Sequence, residues 1–342
     1  MWPAILPNTL RFLLASLLFS SDNSQGTLQF NLRHEHAVSG ADHIVFADMP
    51  RNIPHLAATP FVVYTTPLTT HRPSSSLAYS KAIHRSRHHA QSSLLDWWDE
   101  EVQGPDVKSR ETLSTLAKMT FDAYLEPSDQ EWYQLGPQWN KVSIFLLYES
   151  PLKRERHPKT YPFGWEPDAD GFRGHIFVST DNSTVVISIK GTSAGWIVGG
   201  GGPTVQKDKI NDNLLFSCCC ARVGLTWSTV CDCYSGGYRC DQTCIENALI
   251  DESLFYPIGT VKPWTFYVDS AYTPYSQNLY NNVSYMYPEA NIWIVGHSLG
   301  GALASLVGVT FGTPVVAFEA PGERRAAQRL HLPSPVIRQE SI

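Results

Sequence analysis

Outside the segment from Cys218 to Cys244 the chain contains no cysteine, and within that segment it contains no histidine. The second absence argues against a zinc knuckle, as do spacings that are not the paired C-x2-C of tetrahedral sites. Basic residues are not in excess: 26 Lys and Arg stand against 32 Asp and Glu, giving a net charge of -6. With no basic patch, nucleic acid is excluded as the expected partner. Beyond the first ~20 residues no run is long or apolar enough to cross a bilayer. There is no internal repeat. The Gly-rich stretch Gly199-Gly-Gly-Gly-Pro203 is followed by no Gly-Lys-Ser/Thr, which excludes a phosphate-binding loop. Nothing in the residue pattern calls for a metal or organic cofactor.

What is present is an ordinary globular balance of 43% hydrophobic and 17% charged residues over 342 positions, enough for a sizeable core. Aromatics reach 12%, which is consistent with a Tyr-rich surface and core or with contact to lipid or sugar. After Arg11 comes the uncharged run Phe12-Leu-Leu-Ala-Ser-Leu-Leu-Phe19. A charge followed by an apolar core is a secretory pattern, and no small-x-small cleavage site follows, so an uncleaved signal-anchor is expected. The seven cysteines, Cys218, Cys219, Cys220, Cys231, Cys233, Cys240 and Cys244, are disulfide candidates in such a compartment, and their odd number leaves one thiol without a local partner. The sequons at Asn182 and Asn282 would be glycosylated there.

Along the chain, residues 27–60 read as a loose arm with one strand. Residues 65–93, rich in Thr, Ser, Pro, His and Arg, read as a linker, and His88-His89 as part of a solvated basic loop rather than a metal site. From Ser109, a plausible cap, helical spacing of Leu113, Leu116, Ala117, Thr120, Phe121 and Tyr124 predicts a helix ending at Glu126-Pro127. Strands are predicted at 141–148, 175–179, 185–189, 291–295 and 313–318, and helices at 270–286 and 299–309. Alternating strands and helices imply an α/β fold with a parallel sheet.

The chemistry concentrates at Gly296-His297-Ser298-Leu299-Gly300. This G-x-S-x-G pentapeptide follows an apolar strand and opens a helix, the context of a nucleophile elbow. The turn exposes Ser298 Oγ at a helix N-terminus, where backbone N–H groups favour developing negative charge. Gly296 and Gly300 are required because side chains there would clash where strand and helix cross. The Leu299 N–H is the first oxyanion donor. A second is expected from the loop after a neighbouring strand, and Lys190-Gly191-Thr192 supplies it: Gly191 permits a bend and Thr192 offers an N–H and a hydroxyl.

Gly-His-Ser-Leu-Gly-Gly-Ala-Leu-Ala with an upstream Lys-Gly-Thr resembles the class 3 lipase family, an α/β-hydrolase type. The runs from Gly191 to Thr204, Leu214 to Cys220, Cys231 to Cys240 and Val316 to Glu323 are similar to its fungal autophagy-related branch. The resemblance implies an acyl hydrolase of phospholipids and neutral lipids with Ser298 as nucleophile. It further implies a single-pass type II membrane glycoprotein with a lumenal catalytic domain. Such a protein passes through endoplasmic reticulum, Golgi and multivesicular bodies to the vacuole, where it breaks down autophagic bodies and other vesicles.

The expected layout is an anchor at 1–20, an arm and linker at 21–108, and a lipase domain at 109–335. That domain carries a Gly/Cys-rich insertion at 195–244, expected to form a lid or substrate-access element, and a tail at 336–342 departs from the family. Triad order in this fold is Ser, then Asp or Glu, then His. After Ser298 there is no Asp, and the remaining candidates are Glu319, Glu323, Glu340 and His331. Glu319 and His331 follow the elbow too closely to be placed over the serine. The expectation is therefore a chain that stops before its triad acid and base. The rival readings are a non-catalytic, membrane-tethered lipid-binding product and a serine peptidase on the same fold.

Overall fold

The computed structural model describes residues 26–38, 44–49, 61–89, 95–125, 132–133, 173–192, 205–217, 233, 241–245, 247 and 279–335. Among the described residues eight strands form a single sheet. They are β1 (Gly26–Val38), β2 (Ile44–Asp48), β3 (Phe61–Pro73), β4 (Trp97–Pro105), β5 (Arg173–Ser179), β6 (Thr184–Ile189), β7 (Asn291–His297) and β8 (Val315–Phe318). The order is β4-β3-β1-β5-β6-β7-β8, with β2 paired to β1. From β4 to β6 every pairing is antiparallel, whereas β6-β7 and β7-β8 are parallel. The fold is of the α/β-hydrolase type, and the parallel half carries the pentapeptide.

The sheet is covered on both faces: β5 and β6 are buried at every position, and β7 at every position but its two ends. Alternation sends Ile176, Val178, Val185, Ile187, Ile292 and Ile294 to one face and Phe177, Val186, Trp293 and Val295 to the other. On the first face pack Leu299, Leu303, Leu306 and Val307 of helix α5 (Leu299–Phe311), together with α3 (Val205–Phe216), α4 (Leu279–Met286) and α6 (Arg324–Arg329). On the second face Leu116 and Met119 of α2 (Arg110–Asp122) are fully buried. Ser109 caps α2, accepting the Thr112 N–H at 3.2 Å, as its sequence predicts. Helix α5 stops at Gly312, whose φ of 63° is left-handed. A Cβ there would lie 2.2 Å from the His71 carbonyl oxygen.

Of the linker expected at 65–93, residues 65–89 form the rest of β3 and helix α1 (Ser76–His89), and 90–93 lie outside the described residues. Composition misleads there because Thr-rich polar residues on β3 pair with β4 over nine positions, from Thr65–Pro105 to Pro73–Trp97, so backbone hydrogen bonding rather than apolar burial fixes the segment. The strand expected at 313–318 forms as β8, but its residues are half-buried or exposed rather than enclosed. The helix expected at 270–286 is described from Leu279 onward. The strand expected at 141–148, the Gly-rich stretch 195–204 and the tail 336–342 lie outside the described residues, as do all cysteines except Cys233 and Cys244. Those two form a disulfide with Cα atoms 5.4 Å apart.

The localisation expectation is corrected. Among the described residues no helix is long and apolar enough to cross a membrane, so a single-pass type II anchor is not supported. Residues 1–20, on which that expectation fell, lie outside the described residues.

Candidate active site

Ser298 joins β7 directly to α5 and adopts φ 54°, ψ -126°, a backbone conformation in which a side chain other than glycine's is strained. Its N–H donates to the Phe318 carbonyl at 3.0 Å, the last rung toward β8. Its own carbonyl accepts the Ala302 N–H at 3.0 Å, so α5 begins at once. The first N–H groups of a helix have no intrahelical acceptor, and here they are those of Leu299, Gly300 and Gly301. Ser298 is half-buried, while Leu299 is fully buried and anchors the first turn.

The glycines make this turn geometrically possible. A Cβ on Gly296 would lie 2.4 Å from the Gly300 carbonyl, and one on Gly300 would lie 2.3 Å from the Ile189 carbonyl. Strand β7, helix α5 and the end of β6 thus touch backbone to backbone. Gly191 belongs to the same contact: a Cβ there would lie 2.3 Å from the His297 carbonyl. Among the described glycines only Gly312 has a positive φ, so Gly191 is required for space and not for a left-handed bend. The parallel ladder ends at Ile189–Gly296, which puts Gly191-Thr192 beside His297-Ser298.

Three residues at this junction went unrecognised in the sequence. Tyr124, read only as part of a helical apolar phase, places its phenol oxygen 3.1 Å from the Gly191 N–H and 3.0 Å from His297 Nδ1. Burial raises its pKa, so it is a neutral phenol. Lys190 and Asp208 form a fully buried ion pair at 2.8 Å, and Lys190 Nζ also donates to the Gly191 carbonyl at 2.8 Å. Burial pulls the Lys190 pKa down to about 8, against the opposing attraction of Asp208. Asp212, a turn along α3 from Asp208, is pushed up to about 6, first by burial and then by the Asp208 charge. The Thr192 hydroxyl lies close enough to favour the Asp212 carboxylate, though short of a well-formed hydrogen bond. No pattern in the sequence ties 124, 208 and 212 to the pentapeptide, since the link is made by tertiary packing.

The structure does not bring Glu319 and His331 together over Ser298. Glu319, at φ 46°, has its carboxylate 3.6 Å from His297 Nε2. His331 Nδ1 lies 3.2 Å from Ser86 Oγ of α1. Asn182 occupies the exposed β5–β6 turn, and Asn282 is half-buried on α4.

A class 3 lipase family model matches residues 231–317. A protein named "Putative lipase ATG15" from Cryptococcus neoformans var. neoformans serotype D (strain B-3501A) is 52% identical over 240 residues, covering 70% of this chain and 39% of its own length. The protein of the same name from Mycosarcoma maydis is 49% identical over 247 residues, covering 72% of this chain and 40% of its own length. That from Candida albicans (strain SC5314 / ATCC MYA-2876) is 46% identical over 251 residues, covering 70% and 36%. This chain therefore spans about two-fifths of the length of the curated relatives it matches. No solved structure matches it. A strand-to-helix turn at Ser298 and these identities point the same way: residues 231–317 match a class 3 lipase segment, in a chain that is similar to ATG15-type lipases over about 70% of its length.

Proposed function

We propose that this chain carries the nucleophile half of a serine acyl hydrolase, with Ser298 attacking the ester carbonyl and the N–H groups of Leu299 and Thr192 holding the oxyanion. The observation that supports this most directly is the backbone of Ser298, φ 54° and ψ -126° at the mouth of α5, the strained strand-to-helix geometry of a nucleophile elbow. Gly191's close approach to His297 brings the second donor loop alongside. The substrate class is membrane and storage lipid, and resemblance to the autophagy-related branch supports lipids of autophagic bodies and intravacuolar vesicles as the pool. The Gly/Cys-rich insertion 195–244 is assigned a role in substrate access, and Asn182, exposed in its turn, is the better placed of the two glycan acceptors.

A fluorophosphonate probe tests the nucleophile. Ser298 should label, Ser298→Ala should not, and the chain should hydrolyse lipid vesicles in preference to peptides. Peptide cleavage without lipid hydrolysis would favour a peptidase. One observation favours a second, non-catalytic reading: His331 Nδ1 is engaged with Ser86 Oγ of α1. That reading expects neither labelling nor hydrolysis, because loss of the histidine base alone typically costs about 10⁶ in turnover.

A further inference from the structure

Beyond the residues that would touch substrate, one side chain links both halves of the junction. Tyr124 follows the last turn of α2, its backbone N–H bonded to the Phe121 carbonyl at 2.9 Å and its ring buried. The parallel ladder between β6 and β7 closes at Ile189–Gly296, so past that pair no strand pairing holds Gly191 against His297. The phenol takes over there. Its oxygen accepts the Gly191 N–H at 3.1 Å, and its hydroxyl faces His297 Nδ1 at 3.0 Å and the His297 carbonyl at 3.4 Å. A phenol has one hydrogen to give, and the shorter contact is to Nδ1. The phenol either donates to Nδ1, or accepts from a protonated Nδ1 and donates to the carbonyl; in both tautomers it bridges Gly191 and His297, and Nε2 lies 3.6 Å from the Glu319 carboxylate. The Lys190 ammonium, 5.8 Å from the Tyr124 ring centroid, adds a favourable contact on the ring face.

We propose that Tyr124 is a positioning residue: its phenol oxygen fixes the distance between the oxyanion loop and the nucleophile turn by bonding the residue before Thr192 and the residue before Ser298 at once. Without it, a buried Gly191 N–H and the Nδ1 of His297 lose a shared partner, and the two loops can separate without breaking any strand pairing. Misplacement of reacting groups by about 1 Å costs on the order of 10²-fold in rate. The catalytic half of this inference rests on the function proposed above, whereas the geometric half does not.

The test is Tyr124→Phe in the full chain, read in two ways. Lys190-Gly191 is the only Lys-Gly pair and His297-Ser298 the only His-Ser pair in the sequence, so paired carbonyl-carbon and amide-nitrogen labelling isolates the amides of Gly191 and Ser298. Tyr124→Phe should move the Gly191 amide proton upfield and shift that of Ser298. Hydrolysis of a soluble short-chain ester should fall about 10- to 100-fold in kcat with KM unchanged. An unmoved Gly191 amide overturns the proposal, as does an unchanged kcat in a variant whose Gly191 amide has moved. If the wild-type chain neither hydrolyses esters nor labels at Ser298, the proposed function fails, and the two amide shifts alone then decide the role of Tyr124. Should Tyr124→Phe not fold, the wild-type His297 nitrogen spectrum decides, with His297→Gln identifying the resonance: a hydrogen-bonded Nδ1 is required, and an Nδ1 without a hydrogen bond overturns the proposal.

Discussion

Gly191 and His297 meet so closely that a single added methyl carbon on Gly191 would lie 2.3 Å from the His297 carbonyl oxygen. Both partners in this contact are backbone, so neither can rotate away. Gly191→Ala should therefore force the end of β6 off the elbow and destabilise the fold by about 1–3 kcal/mol. Thermal unfolding would show the loss, and fluorophosphonate labelling of Ser298 should slow in parallel. An alanine variant with unchanged melting and labelling would refute this contact.

The Lys190–Asp208 pair makes a different kind of prediction, because both side chains are buried. Removing one charge leaves the other stranded. Asp208→Leu or Lys190→Met should each cost about 3–5 kcal/mol, and the double variant that combines them should recover a large part of it. Denaturant titrations of the four proteins give the coupling directly, and simple additivity would contradict the pairing.

Arg329 closes the far side of the same helix. Its guanidinium donates to the carbonyls of Leu214 at 2.8 Å, Leu215 at 3.3 Å and Ser217 at 2.6 Å, satisfying the C-terminal end of α3 from α6. Arg329→Ala should destabilise by about 2–4 kcal/mol, and Arg329→Lys, lacking the planar fork, should recover only part of it. Hydrogen exchange should quicken in the last turn of α3 before it does in the central strands.

Two buried histidines set the acid limit of stability. His36 Nε2 donates to the Ser188 carbonyl, and His175 Nε2 donates to the carbonyls of Asp122 and Leu125. Burial lowers the His36 pKa to about 3 and the His175 pKa to about 4 from 6.5. Below pH 6.5 the unfolded chain binds protons that the folded chain does not. Stability is therefore complete above that pH and declines as pH falls, through about 4 for His175 and about 3 for His36. Each contributes up to ~1.4 kcal/mol per pH unit in that window. Denaturant midpoints at pH 7 and pH 5 should differ, and His175→Asn should flatten the difference. An identical slope in the variant would show that protonation elsewhere controls it.

The elements that sequence made visible are those with a local cause. The Ser109 cap, the uninterrupted apolar runs of β5, β6 and β7, and the small-residue helix after Ser298 all declare themselves within a few residues. Strand β3 did not, since its Thr and Pro content conceals a strand stabilised by pairing with β4. The site divides the same way. Ser298, Leu299, Gly191 and Thr192 stand in short motifs with a mechanical reason for each residue type. Tyr124, Asp208 and Asp212 acquire meaning only when α2 and α3 are folded against opposite faces of one sheet, and no spacing in the chain records that.

The seam at β6 has a consequence for how this chain tolerates change in length. Strand β6 is antiparallel to β5 on one side and parallel to β7 on the other, in register from Thr184–Asn291 to Ile189–Gly296. One residue inserted between Thr184 and Ile189 would turn Ile187 out of one apolar layer and Ser188 out of its bond to the Met119 carbonyl. The Thr180–Ser183 turn is tied to its neighbours at its ends, through the Thr180 N–H to the Gln29 carbonyl and the Ser183 carbonyl to the Asn291 N–H, while Asp181 and Asn182 between them are exposed. Length variation among homologous chains should therefore accumulate at that turn, while the six residues that follow it keep a constant count.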